Sequence, residues 1–378
     1  MTSDPIYLDH NATTPLLPEV VDAMLPYLRE HFGNPSSGHV YGLRARRAVA
    51  DARAQVAALL GCDDEELVFT SGGTEANNLA IRGVSEALGD RRHLVTSVIE
   101  HPATAQPCRW LELHGQGVTR VGVDARGRAR LEEAQAAITG DTSLVTVMHS
   151  NNETGVLQPI RELAELAHAA GAWMHTDAAQ SVGKVPVKVR ELDVDLLSVA
   201  GHKLYAPKGV GALYVKRGTP LAPFTLGAGH EHGLRPGTEN VAAIVGLGAA
   251  CELLGRDVEL AARTVAAKRD ALWAGLGSAI PGLALNGHPD LRLPNTLNLR
   301  FPGVSGEALL EATPEIAAST GSACHADHER ASAVILAMGV APEQALGSVR
   351  LTLGRCTTED EVARAVEALV RTWKRLSA

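Results

Sequence analysis

Ser198-Val199-Ala200-Gly201-His202-Lys203-Leu204-Tyr205 is the stretch on which the reading of this chain turns. It closes the apolar run Val194 to Val199, so Lys203 stands where a buried strand gives way to polar residues. A lysine at such a place, beside a glycine that admits close approach, is suited to hold a ligand aldehyde, because desolvation makes its amine nucleophilic. A second apolar run leads into His175-Thr176-Asp177-Ala178-Ala179-Gln180, with the acid 26 residues before the lysine. Pyridoxal phosphate asks for that pair: an amine for its aldehyde and a carboxylate that keeps its ring nitrogen protonated. Lys203 taken alone reads as one more solvated surface lysine. Its companions reverse that reading.

Working outward, a short apolar strand alternates with a helical segment from residue 67 onward, the pattern of a mostly parallel sheet covered on both faces. Strands are expected at Leu67–Thr70, His93–Val98, Leu144–Met148, Ala172–His175 and Val194–Val199, with Val210–Val215 as a candidate antiparallel member. The first five run into Ser71-Gly72-Gly73-Thr74, Glu100-His101, Asn151-Asn152-Glu153, Asp177 with Gln180, and His202-Lys203. Ligands bind at the carboxyl ends of strands in open α/β sheets, so these five groups should meet in one crevice. Helices are expected over Pro18–Glu30 and Leu43–Leu60, the second ended by Gly61, and from Pro159 at a helical first position to Gly171. An Ala-rich helical pattern covers Val241 to Ala274, and a capping box at Thr358 and Glu361 starts the last helix. The C-terminal part reads as a smaller α+β domain: the division is 15–257 for the large domain, with 1–14 and 258–378 forming the small one.

Composition narrows the field. With 378 residues, 45% of them hydrophobic, two domains are the natural expectation. A net charge of −8 without a basic run speaks against nucleic acid or an anionic membrane as the main partner. No apolar run reaches the roughly 18 residues of a membrane span, and Met1-Thr2-Ser3-Asp4-Pro5 lacks the pattern of a secretion signal. The five cysteines, Cys62, Cys108, Cys251, Cys324 and Cys356, include no Cys-x-x-Cys pair, which argues against a disulfide framework and fits a reduced cytosol.

Each chemical reading has a plainer rival. Gly72-Gly73-Thr74 opens a helix and offers backbone N–H groups and a hydroxyl to a phosphate; alone it is an ordinary glycine-rich turn, and it lacks the Gly-Lys-Ser/Thr ending of a nucleotide loop. His101 suits a ring face and proton transfer near neutral pH; the alternative is a polar strand-end residue. Arg350, in the strand-like Ser348-Val349-Arg350-Leu351-Thr352-Leu353, is the planar donor an α-carboxylate calls for; the alternative is an edge arginine facing water. Gly321-Ser322-Ala323-Cys324-His325-Ala326-Asp327-His328 holds metal-ligand types without a second half, so no metal is assigned. A thiolate nucleophile that accepts sulfur fits its small, polar neighbours better.

These motifs together resemble the cysteine desulfurases of the nitrogen-fixation and housekeeping iron–sulfur group, within the class V aminotransferase branch of pyridoxal phosphate fold type I. The resemblance runs from Tyr7-Leu8-Asp9 through Phe69-Thr70-Ser71-Gly72-Gly73-Thr74-Glu75, Asn151-Asn152-Glu153-Thr154-Gly155, His175-Thr176-Asp177, Gly201-His202-Lys203 and Arg235-Pro236-Gly237-Thr238-Glu239-Asn240 to Gly321-Ser322-Ala323-Cys324 and Arg350. It implies a large domain built on a mostly parallel seven-stranded sheet between helices. It further implies that Lys203 carries pyridoxal 5′-phosphate, Asp177 pairs with its ring nitrogen, Gln180 and Asn152 address the phenolic oxygen side, and His101 stacks on the ring. Gly73, Thr74 and His202 would hold the phosphate, joined by Thr238 from the other subunit of a homodimer. Cys324 would take the sulfur of L-cysteine as a persulfide and pass it to an acceptor protein, with Arg350 on the substrate carboxylate. Ala200 departs from the serine many relatives place there. His325-Ala326-Asp327-His328 is similar instead to selenocysteine lyases, which keeps L-selenocysteine in view as a substrate, and a non-catalytic partner in a sulfur-transfer complex is the alternative from another class. The chain closes at Ala378 without the tail that helps housekeeping members dock an iron–sulfur scaffold, so scaffold docking is not expected through it.

Overall fold

The computed structural model describes residues 4–90, 92–321 and 331–378. Seven strands form one sheet in the order Leu67–Thr70, Gly211–Val215, Leu196–Ala200, Trp173–Asp177, Thr142–Thr146, His93–Ser97 and Gly117–Val121. Gly211–Val215 runs antiparallel to both its neighbours, and the other pairings are parallel. The period of two explains the burial. Leu67, Phe69, Leu197, Val199, Ala212 and Tyr214 face one core, while Val68, Leu196 and Leu213 face another on the opposite side. Helices Val40–Leu60, Ile160–Ala169 and Val241–Gly255 pack into the first core, and Gly73–Ala87 and Pro102–Leu113 into the second.

Three local differences from the expected pattern have physical causes. Strand Gly117–Val121 escapes a hydrophobic scan because it is the sheet edge, with Gly117, Thr119 and Arg120 exposed. Pro159 stands at the N-cap of helix Ile160–Ala169 rather than inside it, with ψ of 65°. The Ala-rich stretch forms two helices, Val241–Gly255 and Val258–Ala279, because the chain changes core between them. Leu247 and Leu254 belong to the main core, whereas Leu272 and Leu276 pack with Leu297, Leu299, Val349, Leu351 and Leu369 in a separate one. That separate core covers an antiparallel sheet in the order Ser348–Thr352, Thr296–Arg300, Ala284–Leu285.

The expected punctuation is present elsewhere. Gly61 ends helix Val40–Leu60 in the left-handed region, φ 71°, and donates its N–H to the Ala57 carbonyl. Thr358 and Glu361 form both halves of the capping box on helix Glu359–Leu376, whose Val362, Ala365 and Leu369 are buried. Among the described residues no helix is long and apolar enough to cross a membrane.

Candidate active site

The turn Gly201–Lys203 continues directly from strand Leu196–Ala200. Only glycine fits at 201, where a Cβ would lie 2.8 Å from the Val210 carbonyl oxygen. The chain's opening residues stitch this turn from outside. Thr14 donates its N–H (2.9 Å) and its hydroxyl (3.1 Å) to the His202 carbonyl, and its Oγ1 accepts from the Tyr205 N–H at 2.8 Å. Tyr205 is thereby held at φ 63°, a conformation that a bulky side chain adopts only where its surroundings over-determine it. Lys203 Nζ donates to the Asn11 carbonyl oxygen.

All five strand ends contribute to one cleft with an empty volume of about 490 Å³. Gly73 and Thr74 come from the first, His101 from the second and Asn152 from the third. Asp177 and Gln180 come from the fourth, His202 and Lys203 from the fifth. Strands Trp173–Asp177 and Leu196–Ala200 are direct neighbours, with Asp177 opposite Ser198, so the acid and the lysine leave adjacent strand ends. The crevice expected at the carboxyl edge is therefore present, with the lysine and the acid opening into the same space. Glu100 and Glu153, which share two of those strand-end groups, turn away from it. Glu100 accepts from the Met148 N–H and the Ser97 hydroxyl, and Glu153 accepts from the Ser332 hydroxyl at 2.6 Å.

Asp177 is nearly buried, and both its oxygens are engaged: Oδ2 accepts from Asn77 Nδ2 at 2.7 Å and Oδ1 from the Ala179 N–H at 2.9 Å. Such fixing leaves its edge toward the cleft as the free acceptor direction. His101 is the N-cap of helix Pro102–Leu113, and its Nδ1 accepts from the Ala103 N–H at 3.1 Å. That contact assigns the ring proton to Nε2. Burial lowers the His101 pKa, Asp177 opposes the shift and Lys203 adds to it, so the ring is neutral at pH 7. His202 is pushed down to about 4, first by burial and then by Lys203, Lys208 and Lys184.

Arg350 is almost wholly buried, which removes the solvent-facing alternative. Its Nη2 donates to Asp9 Oδ1 at 2.7 Å and its Nη1 to the Asn152 carbonyl at 3.0 Å, while Nε has no hydrogen-bond partner among the described residues. Asn152 thus joins the arginine to the cleft. Thr238 is not brought there within one chain. It lines a separate hollow with Ser36, Arg46, Arg53 and His230. Cys324 and its neighbours Ser322 to Arg330 lie outside the described residues; among those described, no group of three or more His, Cys, Asp and Glu side chains could hold a metal.

Two residues of the site carry no motif-like signal. Asn77, fully buried on helix Gly73–Ala87, donates to Asp177 and, at 3.1 Å, to Thr104. Asn11, also fully buried, receives Lys203 and Gln180 on its carbonyl, while its side chain bonds Lys184, Asn295, Thr296 and the Asn152 carbonyl. In the sequence, His10-Asn11-Ala12-Thr13-Thr14 reads only as a polar turn.

The Aminotransferase class-V model matches residues 6–365. The chain belongs to the class-V aminotransferase family. Among its relatives are a cysteine desulfurase of Trichormus azollae, 46% identical over 99% of this chain and 94% of that protein, and cysteine desulfurase IscS of Methanosarcina thermophila, 45% identical over 96% and 91%. A cysteine desulfurase of Homo sapiens is 44% identical over 98% of this chain and 82% of its own length. A NifS-like protein of known structure superimposes with a TM-score of 0.93 at 34% identity, covering 98% of this chain and all of its own. The structure of SspA in complex with cysteine gives 0.83 at 35% identity, over 93% and 99%. The fold is that of the pyridoxal phosphate enzymes of fold type I, and this family depends on that cofactor. The donor set fits it: one amine, one fixed carboxylate, a neutral imidazole, and a helix start carrying Gly73 and Thr74 surround a single cleft.

Proposed function

We propose that the chain is a homodimeric cysteine desulfurase that releases L-alanine from L-cysteine and leaves the sulfur as a persulfide on Cys324 for transfer to an acceptor protein. The observation that carries this reading is the shared cleft of Lys203, Asp177 and His101 in a chain 44–46% identical to cysteine desulfurases over nearly its whole length. When bound, pyridoxal phosphate supplies an electron sink for the substrate α-carbon.

The protein's own groups do the rest. Lys203 anchors the aldehyde carbon and carries protons at Nζ. Asp177, already fixed by Asn77 and Ala179, offers its remaining acceptor direction to the ring nitrogen. His101 presents Nε2–H from the helix start and would move a proton at that atom. Gly73, Thr74 and His202 receive the phosphate, with Thr238 added from the second copy, and Gln180 and Asn152 take the ring-oxygen side. Arg350, with two of its five N–H groups committed to Asp9 and the Asn152 carbonyl, would turn others to the substrate carboxylate. At the sulfur, the Cys324 thiolate attacks, the substrate carbon–sulfur bond breaks and a sulfur–sulfur bond forms. The product carbon takes a proton, so that L-cysteine and a thiol become L-alanine and a persulfide. The division into a large domain, 15–257, and a small one, 1–14 with 258–378, belongs to the same reading, as does a cytosolic location.

The test is incubation of the purified protein with L-cysteine while alanine, sulfide and protein-bound persulfide are followed together. Cys324→Ala abolishes the persulfide and the alanine; an unchanged rate of both alanine and sulfide in that variant removes Cys324 as the acceptor. The run His325-Ala326-Asp327-His328 favours a second reading, selenium release from L-selenocysteine. Comparing kcat/KM for the two substrates decides between them.

A further inference from the structure

Lys184 is the amine in this region to which the proposed chemistry gives no task. It follows Gly183 in the turn after Gln180, and its Nζ reaches inward between two carboxamides. It donates to Gln180 Oε1 at 2.9 Å and to Asn11 Oδ1 at 3.1 Å. A carboxamide has one accepting end and one donating end, so a lysine at the accepting end fixes which way it points. With Oε1 turned to Lys184, Gln180 carries its Nε2 on the other side, where one N–H donates to the Asn11 carbonyl at 2.9 Å. The second N–H is left for the cleft that Gln180 lines. The same lysine fixes Asn11. With Oδ1 held by Lys184 and by Asn295 Nδ2 at 3.0 Å, Asn11 Nδ2 is directed to the Asn152 carbonyl, the oxygen that also accepts from Arg350.

We propose that Lys184 is a positioning residue that locks the amide of Gln180 so that it presents an N–H, and not a carbonyl, to the phenolic oxygen of bound pyridoxal phosphate. The inference rests on the pyridoxal phosphate reading of the cleft and deepens it. Without Lys184 only the Asn11 carbonyl opposes a half-turn of the Gln180 amide, which would set its carbonyl oxygen against an anionic ring oxygen. Burial depresses the Lys184 pKa well below its ordinary value, with Lys203 and Arg350 adding to the shift, yet either protonation state has N–H groups for both contacts. The orientation therefore persists across the working pH range. A donor at the ring oxygen would also weaken that oxygen's hold on a proton, so the lock would lower the pH at which the bound cofactor loses it.

The experiment is a double-mutant cycle with Lys184→Met and Gln180→Ala in the full chain, with pyridoxal phosphate as the probe. Two quantities are read without substrate: the cofactor's dissociation constant and the pH midpoint of its visible absorbance. Each single variant should bind the cofactor about tenfold more weakly and raise the midpoint by about one pH unit. The double variant should be no worse than Gln180→Ala alone, because Lys184 acts through that amide. Lys184→Arg, which keeps a donor at the same place, should return the midpoint toward that of the parent protein and serves if the Met variant does not fold. An unshifted midpoint in Lys184→Met, or additive effects in the double variant, overturns the proposal. A lysine that only braced the turn would lower thermal stability and leave the midpoint alone. If the parent protein takes up no pyridoxal phosphate, the reading of the cleft fails first, and this inference falls with it.

Discussion

Glu100, the residue before His101, is partly buried, a carboxyl whose burial raises its pKa from 4.5 to about 8. Hydrogen bonds from Ser97 Oγ and the Met148 N–H, the latter at 3.1 Å to each oxygen, oppose that shift, and Asp177 adds to it. The native state therefore holds a proton that the unfolded chain releases above about pH 4.5. Stability tied to this group is complete below pH 4.5 and is lost as pH rises toward 8. At roughly 1.4 kcal/mol per unit, the cost is about 1 kcal/mol at pH 5 and about 4 kcal/mol at pH 8. Glu100→Gln replaces the protonated carboxyl by a neutral group of the same shape. It forfeits one acceptor, a loss that does not depend on pH, whereas the gain from removing the titration does. Relative to the parent protein, the variant should therefore gain about 3–4 kcal/mol between pH 5 and pH 8. The assay is urea denaturation of both proteins across that range. Subtraction removes the other titrating groups, including the buried His149 and His175, each pushed down to about 4. Stability curves for the two proteins that run parallel in pH would refute the reasoning.

Asp177→Asn keeps an acceptor for Ala179 or Asn77 but not for both, so the fold should lose only about 1 kcal/mol. On the proposed assignment to the ring nitrogen, removing the charge should cost that nitrogen about 1–3 pKa units, and alanine release should fall about ten- to thousandfold. Parent-level turnover in the variant would end the assignment of Asp177 to the ring. Glu231 accepts from Arg53 Nη2 at 2.6 Å and from the Phe69 N–H at 2.7 Å, with its own backbone at φ 46°. Glu231→Ala strands a half-buried arginine and a strand N–H, and chemical denaturation should show a loss of about 3–5 kcal/mol.

What could be seen in the residues alone follows from how each part of the site is made. Lys203, Asp177, His101 and Thr74 sit where an apolar run stops, and the sheet itself brings strand ends together; reading the strands was enough to gather them. Asn11 belongs to no strand end of the large sheet. It meets Lys203 and Gln180 because the Thr14 contacts hold this early turn against His202 and Tyr205, a long-range contact with no periodic signal. Asn77 is hidden for a different reason: inside an amphipathic helix, a buried asparagine differs from a solvated one only by having Asp177 and Thr104 as partners. Both are carboxamides whose worth lies in which end faces which neighbour, and sequence records the residue but not its orientation. The same limit explains Lys184. Its burial and its two oxygen partners distinguish it from any other lysine in a turn, and those exist only once residues 11, 180 and 184 have been folded onto one another. Groups proposed to perform chemistry are therefore legible from local pattern, whereas groups that orient them emerge only from tertiary contact, and it is this second class that the double-mutant cycle on Lys184 and Gln180 addresses.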